Sequence, residues 1–388
     1  MKTFIKRSFV EKENEILIKK IEEKHIVWFQ NSNSYLIFEN STTAIIKKLY
    51  AKQTLSEIEN WCRLKFDLPK NLAKKFVKDI DKLVQKQCQT AYKTTDATAI
   101  NFVSPNIYDR SKYYLINKIY FLIEFETEFL ETLIHPKFAH LEVSKTNTTT
   151  HQYQIFQENG RIVFLVAGEH IGNWNFKDIH LFQGKFSMEI VQHIHQKEGD
   201  EWLGVFHASA IGNGKNSLLF LGDSGNGKST SLALLQANGF RCLADDFVPV
   251  DVKKQEVYCF PAAISIKKNS LKTLFPSYPE LKIASEHHFK RLHKTVRFLV
   301  PNNLDHTAHL PCKALIFIHY QQDIELELKP ISKIAAFEQL VPDAWISPIK
   351  ENVAVFLEWF LKLPCYQLHY SDTKKMIKTI HKIFNDDL

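Results

Sequence analysis

The chain has no closely spaced cysteine pair. Its six cysteines are scattered over 388 residues, and none forms a C-x-x-C motif. Zinc sites and disulfide frameworks depend on such spacing, so we expect six free thiols in a reducing cytoplasm. Cys242 and Cys259 stand in apolar, strand-like runs, which favours small buried thiols.

Long apolar runs are also missing. The N-terminal segment MKTFIKRSFVEKENE contains no continuous apolar stretch, which predicts that it is not a signal peptide. The most apolar segment, YYLINKIYFLIEF, is broken by Asn117, Lys118 and Glu124 and falls short of the roughly 18 residues that a membrane helix needs. We therefore predict a cytoplasmic protein without a membrane partner.

Internal repeats, low-complexity tracts and concentrated basic patches are absent from the sequence as well. The formal net charge of +7 is a mild basic bias, and the lysines are spread along the chain. Such a bias suits phosphate or acidic peptide and does not predict nucleic-acid binding. With 45% hydrophobic residues, a chain of this length can bury the cores of two or three domains.

The first 90 residues predict a small α+β domain. Three strand-like runs precede three helical segments: 15–20, 25–30 and 34–38, then helices from near Ser41, Thr54 and Pro69. The run T-L-S-E from Thr54 is a capping box. On the third helix we expect an apolar stripe toward the core, made of Leu72, Phe76, Ile80 and Leu83. A lysine row on the same helix is either a solvated face or a rim for an acidic peptide: Lys70, Lys74, Lys78, Lys82 and Lys86.

This order of elements resembles the PqqD-like fold, a winged-helix recognition element. The resemblance rests on FQNSNSYLIFENSTTAIIKKLYAKQTLSEIENW and the helix after it, and it covers about residues 1–90. In that family the domain binds the leader of a precursor peptide, so the resemblance implies a peptide partner. The polar, Thr-rich residues 91–100 predict a linker. Residues 101–205 alternate strand-like and helical pieces without a recognisable motif.

Most of the chemical information lies in residues 206–250. Residues 222–229, GDSGNGKS, match G-x-x-x-x-G-K-[ST] and stand between the strand-like SLLFL and a helix that Gly239 should end. Loops of this kind bind nucleoside triphosphates, because glycines let backbone amides surround the phosphates and the helix N-terminus adds a positive dipole. We expect a catalytic Lys228 to bridge the β- and γ-phosphates and Ser229 to bind Mg²⁺. The predicted nucleotide-binding residues are Gly222, Asp223, Ser224, Gly225, Asn226, Gly227, Lys228, Ser229 and Thr230.

Two flanking patterns narrow the class of nucleotide-binding protein. Upstream, FHASAIGNGKNSLLFL predicts a hairpin that turns at Asn213 and Gly214, so the strand entering the loop should be antiparallel to its predecessor. Downstream, the run FRCLA leads into Asp245 and Asp246. One carboxylate there can hold Mg²⁺ through water, and the other can take the proton of an incoming hydroxyl.

Together these residues resemble the HPr kinase/phosphorylase superfamily and, more distantly, the ATP-dependent phosphoenolpyruvate carboxykinases. The resemblance rests on the His of FHASA, on GDSGNGKST and on LADD, and at pattern level it covers residues 100–388, as in kinase-like relatives found with peptide-maturation genes. It implies an α/β fold: a P-loop domain with a mixed sheet, residues 206–388 as the catalytic core and 101–205 as its N-terminal part. The resemblance also implies roles for four residues: Asp245 as the catalytic base, Asp246 and Ser229 at the metal, and His207 as a further catalytic residue near Asp245. The HPr enzymes form oligomers, so a homo-oligomer is a further expectation by resemblance.

One departure from that family concerns the substrate. Its Glu-x-Arg-Gly-x-Gly signature is missing, and FPAAISIKK stands in its place. We therefore do not expect HPr as the substrate, nor the reverse phosphorolysis. Lys267 and Lys268 fit a phosphate ligand and a surface position equally well. The basic segment 287–297 is interpreted as a solvated loop.

Three functions fit these patterns. We expect a kinase that uses ATP (or GTP) and Mg²⁺ to phosphorylate a Ser or Thr hydroxyl of a ribosomal precursor peptide held by the N-terminal domain. The alternatives are a kinase of a free hydroxylated small molecule such as serine, and a nucleotide-dependent peptide-binding scaffold. A scaffold has no need of the base, and the N-terminal domain favours a peptide over a free metabolite.

Overall fold

A computed structural model describes residues 14–92, 102, 104–289, 294–303 and 305–387. They separate into two compact units: residues up to 93 with Pro348–Ala354, and residues 94–347 with 355–388. Residues 93–100 of the predicted linker (residues 91–100) lie outside the described residues. Helices and mixed sheets occur together, which confirms the α/β class.

The first unit contains an antiparallel sheet in the order β1-β2-β3, followed by three helices. Its elements are β1 (Ile16–Ile21), β2 (Lys24–Phe29), β3 (Ser34–Phe38), α1 (Asn40–Tyr50), α2 (Leu55–Phe66) and α3 (Lys70–Gln89). The capping box is confirmed, since Thr54 Oγ1 accepts the Glu57 amide and the Glu57 carboxylate accepts the Thr54 amide.

The predicted apolar stripe of α3 is correct at Ile80, whereas its other members, Leu72, Phe76 and Leu83, each stand one position before a buried residue. The buried face consists of Ala73, Val77, Ile80 and Val84, whereas Leu72 is 49% exposed. The residues at 73, 77, 80 and 84 follow the helical repeat more closely than the predicted set does. Ala73 belongs to the same core as Ile45 and Ile58. All five lysines of the row on this helix are exposed.

In the second unit, a six-stranded sheet comes first along the chain. Its elements and flanking helices are β4 (Arg110–Ile116), β5 (Ile119–Phe125), α4 (Glu128–Phe138), β6 (Glu142–Val143), β7 (His151–Glu158), β8 (Arg161–Val166), β9 (Glu169–Asn175) and α5 (Ile179–His195). The strand order is β6-β4-β5-β7-β8-β9, with β5 and β7 parallel and the other neighbours antiparallel.

A ten-stranded mixed sheet forms the centre of the second unit. Its strands are β10 (Trp202–Phe206), β11 (Ser209–Gly212), β12 (Ser217–Leu221), β13 (Arg241–Asp245), β14 (Val248–Asp251), β15 (Glu256–Tyr258), β19 (His309–Tyr320), β20 (Leu326–Pro330), β21 (Ala344–Ile346) and β22 (Cys365–Tyr370). The main path is β13-β11-β12-β19-β15-β14-β10-β21, and β22 pairs with both β19 and β20. The hairpin prediction is confirmed, because β11 and β12 are antiparallel while β12 and β19 are parallel.

The remaining elements surround that sheet. They are α6 (Lys228–Ala237), α7 (Leu271–Leu274), α8 (Lys333–Leu340), α9 (Lys350–Lys362), α10 (Thr373–Asn385), and a small sheet of β16 (Ile264–Lys267), β17 (His287–Phe289) and β18 (Lys294–Leu299). The interpretation of residues 287–297 as a loop is wrong for its two flanks, which pair as β17 and β18, while 290–293 lie outside the described residues. All six cysteines are free thiols, as expected. None of the helices within the described ranges combines the length and apolar character needed to cross a membrane.

Candidate functional site

A glycine-rich loop, residues 222–227, joins the end of β12 to the start of α6. Three of its glycines have left-handed backbones, with φ of +132° at Gly222, +106° at Gly225 and +100° at Gly227. A Cβ at Gly222 would lie 2.8 Å from the carbonyl oxygen of Ile318 on β19, so a side chain cannot be accommodated there. The glycines therefore allow the loop to turn sharply at the end of β12, and they leave its backbone free of side chains.

Lys228 begins α6 and is 8% exposed. Its Nζ donates to the carbonyl oxygens of Gly222 and Asp223, which holds the amine across the glycine-rich loop. Burial lowers the pKa of this amine, and the nearby carboxylates of Asp246 and Asp245 oppose that shift. A partly desolvated cation in this position can bind an anion more strongly than a surface lysine.

The loop opens on a polar pocket of about 180 Å³, which we call the loop pocket. Predicted nucleotide-binding residues that line it are Asp223, Ser224, Gly225, Gly227, Lys228, Ser229 and Thr230. Gly222 and Asn226 do not line it and instead shape the loop: the Asn226 amide donates to Asp223 O, and Asn226 O accepts the Tyr320 amide.

Part of the loop pocket comes from residues that no motif marked. Lys267 Nζ donates to Ser224 Oγ at 2.8 Å, and Thr230 Oγ1 donates to Ser270 Oγ at 2.6 Å. Asn269 and Ser265 complete this wall. In this segment the sequence drew attention only to the lysines of the run KKNS, which fitted a phosphate ligand and a surface position equally well. The structure places Lys267 at the loop pocket.

Asp245 ends β13 and is 3% exposed. Its Oδ1 accepts the hydroxyls of Ser209 at 2.6 Å and Ser229 at 3.0 Å, and its Oδ2 accepts the Ser265 amide at 3.2 Å. Burial, followed by the charge of Asp246, raises the pKa of Asp245 in spite of these three donors. The carboxyl is therefore a stronger proton acceptor than an ordinary aspartate, and it is held rigidly.

Asp246 lies next to it in a left-handed backbone conformation, φ +70°. This turn directs its carboxylate to His207, whose Nδ1 lies 3.0 Å from Asp246 Oδ1. The hydrogen bond that His207 donates to the Asp246 carboxylate is the main reason that the pKa of His207 is raised. Lys137 of α4 approaches the other carboxylate oxygen at 3.8 Å, a contribution from a region in which the sequence showed no chemistry.

A second pocket, of about 320 Å³, is also lined by these carboxylates, and we call it the aromatic pocket. It shares His207, Asp246 and Ser265 with the loop pocket, whereas Asp245 lines the aromatic pocket alone. Its other walls include four phenyl rings, Phe247, Phe260, Phe289 and Phe298. The two aspartates and the histidine therefore stand between two different chemical environments.

These residues fit a triphosphate and its metal. The left-handed glycines, the buried lysine and the N-terminus of α6 supply donors and positive charge for phosphate oxygens. Within the described part of the chain, no three His, Cys, Asp or Glu side chains converge as a metal site. Mg²⁺ typically takes one or two carboxylates, substrate phosphates and waters, so Ser229 and Asp246 beside the loop pocket suit an ion that arrives with the nucleotide.

No known protein family matches this chain, and no curated protein resembles it at a significant level.

Proposed function

We propose that this chain is a cytoplasmic kinase of the HPr kinase-like type. It uses ATP (or GTP) and Mg²⁺ to phosphorylate a Ser or Thr hydroxyl of a precursor peptide that the N-terminal unit holds. The observation that carries the proposal is that Asp246 lines both the loop pocket and the aromatic pocket, while the adjacent Asp245 lines the aromatic pocket and accepts the hydroxyl of Ser229 from the loop pocket. A phosphoryl donor on one side and a hydroxyl acceptor on the other would meet at these carboxylates.

The loop pocket is the proposed phosphate site. Its volume is below the usual range of about 300–1,000 Å³ for whole ligands, so it suits the phosphates rather than the entire nucleotide. Loop amides and Lys228 would bind the β- and γ-phosphates, with Lys267 as a further cation at the rim. Ser229 and Asp246 would hold Mg²⁺, which neutralises charge on the phosphates when it is bound.

Asp245 is the proposed general base. It lines the aromatic pocket but not the loop pocket, so it is on the acceptor side. Its raised pKa brings it nearer to the operating pH, which improves a carboxylate as a base. Asp246 lines both pockets and is bonded to His207, which suits a carboxylate oriented toward a metal.

The architecture of a P-loop domain with a mixed sheet is part of the proposal. It is supported by the glycine-rich loop between β12 and α6 and by an antiparallel β11 beside β12. For the N-terminal unit, three antiparallel strands followed by three helices support a PqqD-like recognition domain.

Lys228→Ala should weaken ATP binding by about 1.5–3 kcal/mol, the range for a hydrogen bond to a charged group, which is roughly 10–150-fold in affinity. The side chain is the most buried cation at the loop pocket, so water cannot replace it easily. Calorimetry with ATP and Mg²⁺ measures the change, with Lys215→Ala in the exposed hairpin turn as the matched control. Wild-type affinity in Lys228→Ala would exclude this placement of the phosphates.

Asp246→Asn should raise the Mg²⁺ concentration needed for half-maximal transfer, because the amide is a weaker metal ligand than the carboxylate. His207 keeps a partner in this variant, since the asparagine oxygen can still accept its N–H. A Mg²⁺ titration of transfer rate at saturating ATP gives the shift. An unchanged titration would mean that Asp246 has no part in holding the metal.

Transfer itself is tested by incubating the chain with γ-labelled ATP and Mg²⁺ in the presence of both a candidate precursor peptide and free serine. The proposal expects label on a Ser or Thr of the peptide. Label on free serine instead would establish the small-molecule alternative. Slow ATP hydrolysis without labelled acceptor would establish the scaffold alternative.

A further inference from the structure

We infer that the aromatic pocket is the acceptor site and that it takes an uncharged, peptide-borne hydroxyl with an apolar neighbouring residue, not a free amino acid. This inference rests on the proposed kinase function and goes beyond it in naming what enters the pocket. Its basis is the chemistry of the pocket walls around Asp245, which lie entirely within the second unit.

Phenyl rings dominate one side of the aromatic pocket. Phe247 and Phe260 lie 5.0 Å apart between ring centroids, and Phe289 meets Phe298 edge-on at 6.5 Å. These rings can pack on an aliphatic or aromatic group and offer no hydrogen-bond donor to a carboxylate. Free serine would have to bury its carboxylate beside Asp245 and Asp246, which line the same pocket, and burying a charge without an opposite charge as its partner is costly.

The charged groups of the pocket are already engaged with one another. Among the described lining residues, Lys137 is the one side chain that is always cationic near neutral pH, and its Nζ lies 3.8 Å from Asp246 Oδ2. His207 is bonded to the same carboxylate. A ligand carboxylate would have to compete with Asp246 for both, whereas a peptide unit brings no charge into this set.

Residues of α5 add hydrogen-bonding groups to the pocket. Gln183 Nε2 donates to Leu133 O at 2.7 Å, and Ser187 Oγ donates to Gln183 O at 2.8 Å. The Gln183 amide keeps one further N–H, and both side chains keep an oxygen that can accept N–H groups. Backbone amides of a peptide supply such donors without adding charge.

The volume limits the occupant. About 320 Å³ is at the lower end of the range for small-ligand sites, so the pocket has room for a hydroxyl-bearing residue and a neighbour, not for a long segment. The hydroxyl oxygen would bond to the γ-phosphorus, the bond from phosphorus to the β–γ bridging oxygen would break, and ADP would leave. Asp245 would take the hydroxyl proton and later release it to water.

Gly184 provides a direct test of occupancy. It lies within α5 and lines the aromatic pocket, and a Cβ built on it meets no atom within 4 Å. The backbone at position 184 therefore has room for a Cβ, and Gly184→Leu would add side-chain volume at the pocket wall while replacing a poor helix former with a good one. Gly184→Ala adds less volume. Leu181→Phe is the control for added bulk, because Leu181 is 47% exposed on the same helix and does not line the pocket.

The experiment uses the full chain with ATP and Mg²⁺ and three acceptors: N-acetylated, C-amidated Phe-Ser-Leu, the same peptide as Asp-Ser-Asp, and free serine. We expect kcat/KM for Phe-Ser-Leu to exceed that of the other two by about tenfold or more, the scale of one apolar contact in a pocket. Gly184→Leu should raise the KM for Phe-Ser-Leu at least about tenfold, Gly184→Ala less, and Leu181→Phe not at all. The KM for ATP should stay constant in all four proteins.

Each of the other possible results contradicts one named part of the proposal. Preference for free serine or for Asp-Ser-Asp would overturn the substrate class. Equal KM values for Phe-Ser-Leu in wild type and Gly184→Leu would overturn the pocket as acceptor site while leaving the kinase function in place. If wild type transfers phosphate to none of the three, calorimetry of Phe-Ser-Leu with the unmodified chain decides separately. Binding that Gly184→Leu abolishes would retain the site and reject the kinase function, and no binding would reject the site.

Discussion

Asp245→Asn is expected to lower phosphoryl transfer by about 10²–10⁴-fold, the usual contribution of a general base, while nucleotide affinity stays at the wild-type level. The substitution removes the group that takes the acceptor proton. It leaves the glycine-rich loop in place, because Asp245 does not line the loop pocket and its one hydrogen bond to that pocket, from the Ser229 hydroxyl, can be replaced by the asparagine amide.

The geometry around Asp245 allows an isosteric amide. The asparagine oxygen can accept the Ser265 amide in the place of Oδ2, and its NH₂ can face Ser209 and Ser229 in the place of Oδ1. Both serine hydroxyls can rotate and accept, since a hydroxyl is donor and acceptor at once. The variant should therefore fold with the site assembled.

The same substitution should raise stability at neutral pH. A carboxyl whose pKa is raised by folding binds its proton more tightly in the folded state than in the unfolded state. The stability from this proton is fully present below the ordinary aspartate pKa and is lost as pH rises through the raised value. Asparagine carries no charge at either pH, so it avoids the stability that the wild-type carboxyl loses on ionisation. We therefore expect a higher Tm than wild type at pH 7 and a smaller difference in acid.

Single-turnover transfer, ATP calorimetry and thermal melts at two pH values together test this prediction. Asp323→Asn, in an exposed turn, is the matched control and should change none of the three quantities. Full transfer activity in Asp245→Asn would reject the base assignment. Loss of ATP affinity would instead mean that Asp245 acts on the nucleotide side, together with Ser229.

What the sequence could predict was local. The glycine-rich loop, the hairpin before it, the capping box at Thr54 and the left-handed stop at Gly239 each follow from residues close together in the chain. Their geometry depends on backbone preferences and short-range hydrogen bonds, which single residues encode. The position of Asp245 and Asp246 near the loop could be predicted, because they stand at the end of the strand that follows the loop and its helix.

The aromatic pocket could not be predicted, because it depends on contacts between distant segments. Lys137 reaches Asp246 across 109 positions, and Gln183 lines the pocket of Asp245 from α5. Neither residue stands in a motif, and a lone lysine or glutamine on an amphipathic helix predicts solvent contact by default. The one-position error on α3 has a related cause, since partners elsewhere in the core select the buried face.

Removing the leader from a precursor peptide is expected to raise its KM by about 10²-fold or more, with little change in the rate at saturation. If the N-terminal unit binds the leader as proposed, tethering would raise the concentration of the core peptide at the proposed acceptor site to about millimolar, and linked binding of this kind exceeds single-site affinity by about 10²–10⁴-fold. A kinase of a free metabolite would show no such dependence.

Features of the first unit indicate how a leader could bind. In the described part of this unit, β1 and β3 are the edges of the sheet, so either can pair with an added strand. The exposed lysine row of α3 would favour acidic residues in that strand. Changing Lys74 and Lys78 to glutamate should then raise the KM of the full precursor, with the KM of the leaderless peptide as the internal control.

Shortening the peptide is a cleaner test than shortening the protein. Deleting residues 1–88 should also raise the KM of the full precursor and leave ATP hydrolysis unchanged. However, Pro348–Ala354 belong to the same compact unit, so that deletion removes their packing partners as well. Steady-state transfer to full and leaderless peptides by the intact chain avoids this problem. Equal KM values for the two peptides would show that the N-terminal unit does not guide the acceptor, whatever its resemblance to a recognition domain.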